Sequence, residues 1–298
     1  MIRIGLVGSA SYHAEIFARL LNIDQLAGDQ ARITAIWSSA YPDRTADVAR
    51  IGRIPEMASS LHHLADQVDA AIIVDRDGDI HAEHALPFLL DGKPVLVDKP
   101  FAIDLADCRR MITAAGRSGA ALTSFSALSV APDTEALKAA SLGPIRLVQF
   151  AGPCDFDSAH GGPFYYATHL IELSLSLLGE RVVALRAVRA GDTVSVDVAW
   201  EGDVIGTLGY FKDAASEFRA SLFGTEMSVS QEVRVGDDAY AAVMRTAVEM
   251  FASGKSPLGD SHLLLPIVMV HAILRSLDHG GEWVDVAAML NREIEALR

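Results

Sequence analysis

The sequence contains little cysteine, little positive charge and no long apolar run. Its 298 residues include 2 cysteines, Cys108 and Cys154, whose spacing fits neither a disulfide framework nor a metal site. The formal net charge of -14 argues against a nucleic-acid partner, because binding a phosphate backbone requires clustered Lys and Arg. We therefore expect a protein of a reducing compartment, without a metal and without nucleic acid.

Segments that would cross a membrane or direct export are also missing from the pattern. Residues 263–270 are the most apolar late segment, but His262, His271 and Arg275 bound it well below the ~20 residues that a membrane span requires. The first residues run directly into a strand pattern without an export signal. These features predict a cytoplasmic protein with no membrane partner.

What the sequence does contain is a two-part alternation of apolar residues. In the first half, strand patterns alternate with helix patterns, which is typical of parallel βαβ units. From residue 143 onwards, alternation at 194–198 and 207–211 indicates antiparallel strands with one packed face. We therefore predict α/β plus α+β: a Rossmann doubly wound parallel sheet over 1–123, then a mostly antiparallel β-sheet domain with helices over 124–298.

The central feature of the chain is an apolar run, residues 95–97, that stops at Asp98, Lys99 and Pro100. This pattern predicts a buried strand whose carboxyl end presents two ionisable side chains. Ligands of open α/β sheets bind outside the carboxyl ends of the strands. Lys99 is thus a candidate catalytic residue, and the alternative is a structural lysine that pairs with Asp98 or a backbone carbonyl.

The first strand, residues 2–7, leads into a turn that only partly matches a dinucleotide fingerprint. Such a fingerprint has three glycines, which serve the bend, the approach of the pyrophosphate and helix packing. Gly8 is kept, whereas Ala10 and His13 occupy the other two places. The turn is predicted either to bind a dinucleotide or to be a plain β-α connection, and its candidate cofactor-binding residues are Gly8, Ala10, Ser11, Tyr12 and His13.

Two further strand ends supply candidate cofactor-binding residues. The second strand ends in Ser38 and Ser39, with Arg44 shortly after, and the lack of an acid there favours NADP over NAD. The alternative is that Arg44 is a solvated residue of the next helix. The strand at 70–74 leads into a loop whose candidates either line the cofactor cleft or cap and pack locally; they are Asp75, Arg76 and His81.

Residues 92–100, Gly-Lys-Pro-Val-Leu-Val-Asp-Lys-Pro, resemble the motif G-K-P-V-x-x-E-K-P of the Gfo/Idh/MocA oxidoreductases, with Asp98 in place of glutamate. The resemblance extends over nearly the whole chain. It implies an NAD(P)-dependent enzyme in which Lys99 lies by the nicotinamide and the substrate hydroxyl, and Pro100 shapes the turn. Asp98, Lys99 and Pro100 are therefore further candidate cofactor-binding residues. The resemblance also implies a homo-dimer or homo-tetramer that assembles through the second domain.

A second motif lies at 161–172, where helical spacing predicts Tyr165, His169 and Glu172 on one side of a helix. The family pattern there is G-G-x-x-x-D-x-G-x-H-x-x-D, so the resemblance puts His169 on the family histidine and Glu172 on the following acid. Tyr165 replaces the aspartate. A neutral phenol cannot raise the basicity of a histidine as a carboxylate does, so Tyr165 is expected to donate a hydrogen bond to the substrate or to transfer a proton.

The same region departs from the family in a second way. Relatives often carry an arginine in the stretch that corresponds to 124–128, and this sequence has none there. Aromatic residues, including Tyr166, are expected to line a substrate pocket instead. The candidate substrate-binding residues are Lys99, Tyr165, Tyr166, His169 and Glu172.

These residues lead to a main functional hypothesis and two alternatives. The main hypothesis is hydride transfer between a nicotinamide cofactor and a carbinol or carbonyl carbon of a sugar, polyol or related small molecule, with His169 or Lys99 moving the proton. A histidine satisfied within the helix core is the structural alternative for His169. The functional alternatives are redox-neutral elimination, epimerisation or hydrolysis with a tightly bound NAD(P), and a cofactor-sensing protein that has lost catalysis.

Overall fold

The structure is a computed structural model that describes residues 1–215 and 217–298. The chain folds into two compact units. Unit 1 comprises Met1–Phe125 and Asp237–Gly259, and unit 2 comprises Ser126–Gly236 and Asp260–Arg298. The predicted boundary between 123 and 124 lies beside the first of these division points. The roles predicted for 1–123 and 124–298, as cofactor-binding and substrate-binding or oligomerisation domains, stay predictions.

Unit 1 is built on a six-stranded parallel sheet. Its strands are β1 (Ile2–Val7), β2 (Ala31–Trp37), β3 (Glu56–Met57), β4 (Ala70–Ile73), β5 (Val95–Val97) and β6 (Leu122–Thr123). Their spatial order is β3-β2-β1-β4-β5-β6, and each neighbouring pair is parallel. This order, with the switch point between β1 and β4, is that of a dinucleotide-binding doubly wound fold. The predicted Rossmann sheet is confirmed.

Helices connect these strands, as right-handed crossovers between parallel strands require. They are α1 (Tyr12–Asn22), α2 (Pro42–Ile51), α3 (Leu61–Gln67), α4 (His81–Leu90) and α5 (Leu105–Ser118). Ser11 and Asp104 begin α1 and α5 by accepting hydrogen bonds from backbone N–H groups of the first turn. All four residues of β4 and all three of β5 are buried, so both strands lie inside the unit.

Unit 2 contains a seven-stranded mixed sheet. Its strands are β7 (Ile145–Pro153), β8 (Val182–Ala190), β9 (Thr193–Trp200), β10 (Val204–Phe211), β11 (Arg219–Gly224), β12 (Ser228–Glu232) and β13 (Val284–Asp285). The order is β12-β11-β7-β10-β9-β8-β13. Strands β7 and β10 run parallel, and the other neighbouring pairs run antiparallel. The predicted mostly antiparallel sheet is confirmed.

Five further α-helices lie among the described residues. They are α6 (Pro132–Ala139), α7 (Ala167–Leu178), α8 (Asp237–Ser253), α9 (Asp260–Asp278) and α10 (Val286–Glu295). Within unit 2, α7 packs on β7 and β10, and α9 packs on β8. Helix α8 instead packs on α1 in unit 1. Residues from the C-terminal half of the chain therefore contact the helix that follows the first strand of the Rossmann sheet.

Helix α9 has the length and composition of a membrane-crossing helix, with 19 residues and a mean hydropathy of 1.2. The sequence analysis expected the apolar segment to be too short for this. However, 61% of the apolar window is buried inside the protein, as in a helix that forms part of a folded core. The contacts of α9 with α7, α10 and β8 account for its apolar composition.

The side chain of Asn22 fixes α1 against its neighbours. Its Nδ2 group donates hydrogen bonds to the carbonyls of Ile33 (2.8 Å) and Gly52 (2.9 Å), and its Oδ1 atom accepts one from the Ile33 N–H (2.9 Å). Asn22 is 7% exposed, so these backbone groups have little access to water. One amide thereby holds the end of α1, strand β2 and the end of α2 in register.

We expect Asn22→Ala to lower the free energy of unfolding by about 3 kcal/mol, because buried donors and acceptors are then left unpaired. Urea denaturation followed by circular dichroism measures the change. Asn291→Ala, at an exposed position of α10, is the matched control and is expected to change the free energy by less than about 0.5 kcal/mol. Equal effects of the two substitutions would contradict this prediction.

Candidate active site

Gly8 is required where β1 meets β4 at the carboxyl edge of the sheet. Its φ is +95°, and a Cβ atom there would lie 2.7 Å from the backbone nitrogen of Asp75 and 2.8 Å from its Oδ1 atom. No side chain fits in that space without displacing backbone. A glycine is therefore required at the first position of the predicted fingerprint, because two strand ends approach each other closely there.

Arg76 lies beside the turn that follows Gly8. Its Nη2 atom donates a hydrogen bond of 2.7 Å to the carbonyl of Ala10. Its Nε atom is buried and has no partner among the described residues. The hydroxyls of Thr123 and Ser124, after β6 in the same sheet, are likewise buried and unpaired within the described residues. Buried donors without partners are uncommon, and their occurrence at strand carboxyl ends is what a polar ligand at this edge would explain.

The start of α1 adds a second feature that suits an anion. Ser11 caps the helix by accepting a hydrogen bond from the His13 N–H (3.2 Å). A helix N-terminus carries a partial positive charge, and Arg76 adds a full charge next to it. The residues present thus fit the pyrophosphate of a dinucleotide, although Ala10 and His13 replace two glycines of the fingerprint. Tyr12, the first residue of α1, is 65% exposed.

His13 makes a buried connection that the sequence analysis did not anticipate. Its Nδ1 atom lies 2.7 Å from Oδ2 of Asp98, and its Nε2 atom lies 3.1 Å from the hydroxyl of Tyr240 on α8. Burial alone would raise the pKa of the Asp98 carboxyl, but the charge and hydrogen bond of His13, with Lys99 next, lower that pKa to about 2. Asp98 is therefore a carboxylate, held by the residue in the third glycine position.

His81 and Asp75 lie together behind the strand ends. His81 is fully buried, and its ring nitrogens lie 2.8 Å from the Pro100 carbonyl and 3.0 Å from the Asp75 carbonyl. The Asp75 carboxylate lies 2.7 Å from Nδ1 of His84, a residue that the sequence analysis missed. These contacts tie the end of β4 to the loop after β5. The predicted cofactor contacts of Asp75 and His81 stay predictions.

The end of β2 has the composition expected from the sequence. Ser38 is half-buried, Ser39 is exposed, and Arg44 lies in the first turn of α2. The Nη2 atom of Arg44 is 2.7 Å from Oε2 of Glu15 on α1, and both side chains are partly exposed. Arg44 is therefore ion-paired rather than freely solvated.

Lys99 directly follows the buried β5 and is 8% exposed. Its neighbour Pro100 is joined by a cis peptide bond and packs against Gly78, where a Cβ atom would come within 2.6 Å of the proline ring. The strand end, the proline and the loop after β4 are thus closely packed. This packing places an ionisable amine at the carboxyl edge of the sheet, as the sequence predicts.

Unit 2 contains a second buried polar cluster, centred on Ser126. The Oγ atom of Ser126 lies 2.7 Å from Nδ1 of His169, and the backbone N–H of Ser126 donates a hydrogen bond to the Glu172 carboxylate. Ser126 is 0%, Glu172 4% and His169 9% exposed. The prediction that His169 and Glu172 share one side of a helix is confirmed. The sequence analysis did not identify Ser126 as a partner of His169. The available signal was that residues 124–128 lack the arginine that the family often carries there.

Tyr165 does not belong to that helix, so this part of the prediction is wrong. A short 3₁₀ helix spans Gly162–Tyr165, and α7 begins at Ala167 after Tyr166, whose φ of -131° and ψ of -25° are not helical. The left-handed conformations of Gly161 and Gly162, followed by Pro163, produce the irregular start. The Tyr165 ring instead packs against His160 and Tyr166, at centroid distances of 5.3 Å and 5.1 Å.

Aromatic rings enclose the imidazole of His169. Tyr166 and Phe218 approach it edge-on, with centroids 5.1 Å and 5.4 Å away. Burial raises the pKa of the Tyr166 phenol above its ordinary value, so this residue stays protonated near neutral pH. Burial also raises the pKa of the nearby Cys154 thiol to about 12, which makes it a poor nucleophile. The His169 ring therefore lies between aromatic rings, and its Nδ1 atom contacts the Ser126 hydroxyl.

The sheet order and the Gly8 turn define the fold of unit 1 as a Rossmann fold. Residues 2–125 match the Gfo/Idh/MocA family, an oxidoreductase family with an NAD-binding Rossmann fold. This match agrees with the resemblance of the sequence motif and assigns residues 2–125 to the Rossmann fold of that family.

Individual relatives agree with this assignment. Inositol 2-dehydrogenase 3 of Saccharopolyspora erythraea is 30% identical over 118 residues, which are 40% of this chain and 33% of that protein. The alignments with such curated relatives span about a third of their length.

Solved structures extend the likeness in fold to nearly the whole chain. A levoglucosan dehydrogenase in complex with NADH and L-sorbose has a TM-score of 0.81 at 16% identity, covering 96% of this chain and 98% of that one. A scyllo-inositol dehydrogenase from Lactobacillus casei, with NAD(H) and scyllo-inositol, has a TM-score of 0.83 at 14% identity, covering 96% and 99%. At these identities the comparison shows that the fold is shared.

Asp98→Asn is expected to destabilise the protein in a pH-dependent way. Because the pKa of Asp98 is lowered to about 2 in the folded chain, its carboxylate adds stability above about pH 4, and this is lost as the pH falls towards 2. The expected loss for Asp98→Asn is roughly 2 kcal/mol at pH 6. In urea unfolding curves, the difference in free energy of unfolding between this variant and the wild type should shrink below pH 4.

Asp29→Asn, at an exposed position, is the control and should show no such pH-dependent difference. A loss for Asp98→Asn that is the same at pH 6 and pH 3 would show that the charge of Asp98 does not stabilise the fold.

Proposed function

We propose that the protein is an NAD(P)-dependent oxidoreductase that transfers hydride between the nicotinamide and a carbinol or carbonyl carbon of a sugar, polyol or related small molecule. The observation that carries this proposal is Lys99, a buried amine at the carboxyl end of β5 in a family-matched Rossmann domain. An amine at this edge can bind a substrate hydroxyl and exchange a proton with it. The dehydrogenases of similar fold that contain sugar or polyol ligands support the substrate class.

The buried cluster of unit 2 has groups that suit a sugar or polyol. His169 has one ring nitrogen fixed by Ser126, and the rings of Tyr166 and Phe218 pack edge-on against it. A sugar ring offers hydroxyls for hydrogen bonds and C–H faces for aromatic packing. We therefore assign Tyr165, Tyr166 and His169 to substrate binding, with Glu172 holding the Ser126 backbone.

The cofactor would be held by the Gly8 turn, the N-terminus of α1 and Arg76. When bound, the nicotinamide supplies the hydride chemistry. A proton must leave or join the oxygen of the reacting carbon as hydride moves, and Lys99 is the group of unit 1 that we assign to this exchange. The cytoplasmic location and the homo-dimer or homo-tetramer stay predictions.

The adenosine end of the site favours NADP. Ser38 and Ser39 carry no negative charge that would repel a 2′-phosphate, and Arg44 lies in the first turn of the helix that follows. The contact of Arg44 with Glu15 holds the guanidinium on the α1 side. A 2′-phosphate would replace or share this contact, because arginine binds phosphate through several N–H groups.

Lys99→Ala is expected to abolish turnover while NAD(H) or NADP(H) still binds, because the amine acts on the substrate oxygen rather than on the dinucleotide. Thermal-shift titration with the dinucleotides measures binding, and a panel of sugars and polyols measures turnover. Lys93→Ala is the matched control, since Lys93 lies before the same strand and donates to the Ala65 carbonyl (2.5 Å). Unchanged turnover in Lys99→Ala would refute the assignment, and dinucleotide binding without any turnover by the wild type would favour the sensor alternative.

Arg44→Ala is expected to weaken NADP(H) binding by about tenfold or more and to leave NAD(H) binding within about twofold, because the 2′-phosphate loses its charged partner. Titration of dinucleotide fluorescence measures both affinities. Arg50→Ala, at the opposite end of α2, serves as the control. Equal weakening of the two dinucleotides in Arg44→Ala would remove the case for NADP.

A further inference from the structure

The hydroxyl of Ser126 determines which nitrogen of His169 carries a proton. Ser126 Oγ lies 2.7 Å from Nδ1 of His169 and accepts a hydrogen bond of 3.1 Å from the Leu128 N–H. A hydroxyl has one proton to donate and two lone pairs to accept. Because Ser126 is 0% exposed, that proton needs an acceptor within the protein.

Within the part of the chain that the structure describes, Nδ1 of His169 is the acceptor in reach of the Ser126 hydroxyl proton. If Nδ1 carried its own proton, the Ser126 proton would be buried without an acceptor, an arrangement that folded proteins avoid. Donation from Ser126 to Nδ1 satisfies both groups. The proton of the uncharged imidazole is then on Nε2.

The surroundings keep this arrangement in place. The Glu172 carboxylate accepts a hydrogen bond from the backbone N–H of Ser126, so Ser126 is held at its main chain as well as at its side chain. Tyr166 and Phe218 pack against the His169 ring and limit its rotation. A ring flip would therefore break a buried hydrogen bond and two aromatic contacts.

We infer that Ser126 is a positioning residue that holds His169 as the Nε2–H tautomer, so that His169 donates a hydrogen bond to the substrate oxygen and is not the base. The identity of the reaction rests on the proposed function. An uncharged Nε2–H group stabilises negative charge that develops on a carbonyl oxygen. It has no lone pair on Nε2 to receive a proton.

The test is the position of the imidazole proton in the full-length protein. Long-range ¹H–¹⁵N correlation spectra of the ¹⁵N-labelled chain distinguish protonated from unprotonated ring nitrogens, and the His169→Gln variant assigns the His169 signals among the 10 histidines. At a pH where the ring is uncharged, we expect the proton on Nε2. We expect Ser126→Thr to preserve this and Ser126→Ala to give a mixture of tautomers. A proton on Nδ1 in the wild type would overturn the inference, even if the variants fail to fold.

Kinetics provide the second readout. Gln keeps an N–H donor near the position of Nε2, so kcat of His169→Gln should stay within about tenfold of wild type, while His169→Ala should lose about 10²–10³-fold. The pH profile of His169→Gln should keep the limb that reports the base. Equal loss in both variants, with that limb abolished, would make His169 the base. If the wild type turns over no substrate, the proposed function fails, whereas the spectra still decide the tautomer.

Discussion

The structure of the Rossmann edge depends on a buried carboxylate and the residue that pairs with it. Asp98 directly follows the buried strand β5, and an ionised group at such a position requires a partner of opposite charge or a strong donor. His13 supplies this at 2.7 Å, from the place where the fingerprint has its third glycine. Asp98 is one methylene shorter than the glutamate of the family motif, and His13 is larger than glycine. The two departures from the family pattern therefore meet in one contact.

Much of this edge could be predicted from the sequence, because the apolar periodicity of a parallel sheet is a local signal. The run before Asp98 indicated a buried strand, and Gly8 marked the end of the first strand. The contacts that give these residues their environment are not local. His13 meets Asp98 across 85 residues and Tyr240 across 227, and nothing in residue spacing specifies such a pairing. His84 and Glu15 were missed for the same reason.

In the second unit, the sequence identified the helix face but not its start or its partner. His169 and Glu172 are three residues apart, so helical geometry alone predicts that they share a face. The sequence analysis placed Tyr165 on the same face because it extended the helical spacing back through residues 161–163. Two glycines and a proline there produce an irregular backbone before the helix. Ser126 lies 43 residues before His169, in a stretch noted only for the arginine that it lacks. The absence of one residue type says little about which neighbouring residue contacts the histidine.

The hydroxyl that contacts the histidine has a chemical consequence beyond geometry. A carboxylate only accepts hydrogen bonds, so it holds the ring proton on the nearer nitrogen and leaves the farther one free to act as a base. A buried hydroxyl with no other acceptor does the opposite, because it must donate. The histidine is then a fixed donor rather than a base. The identity of a single uncharged neighbour thus determines which chemical role an ionisable side chain can take.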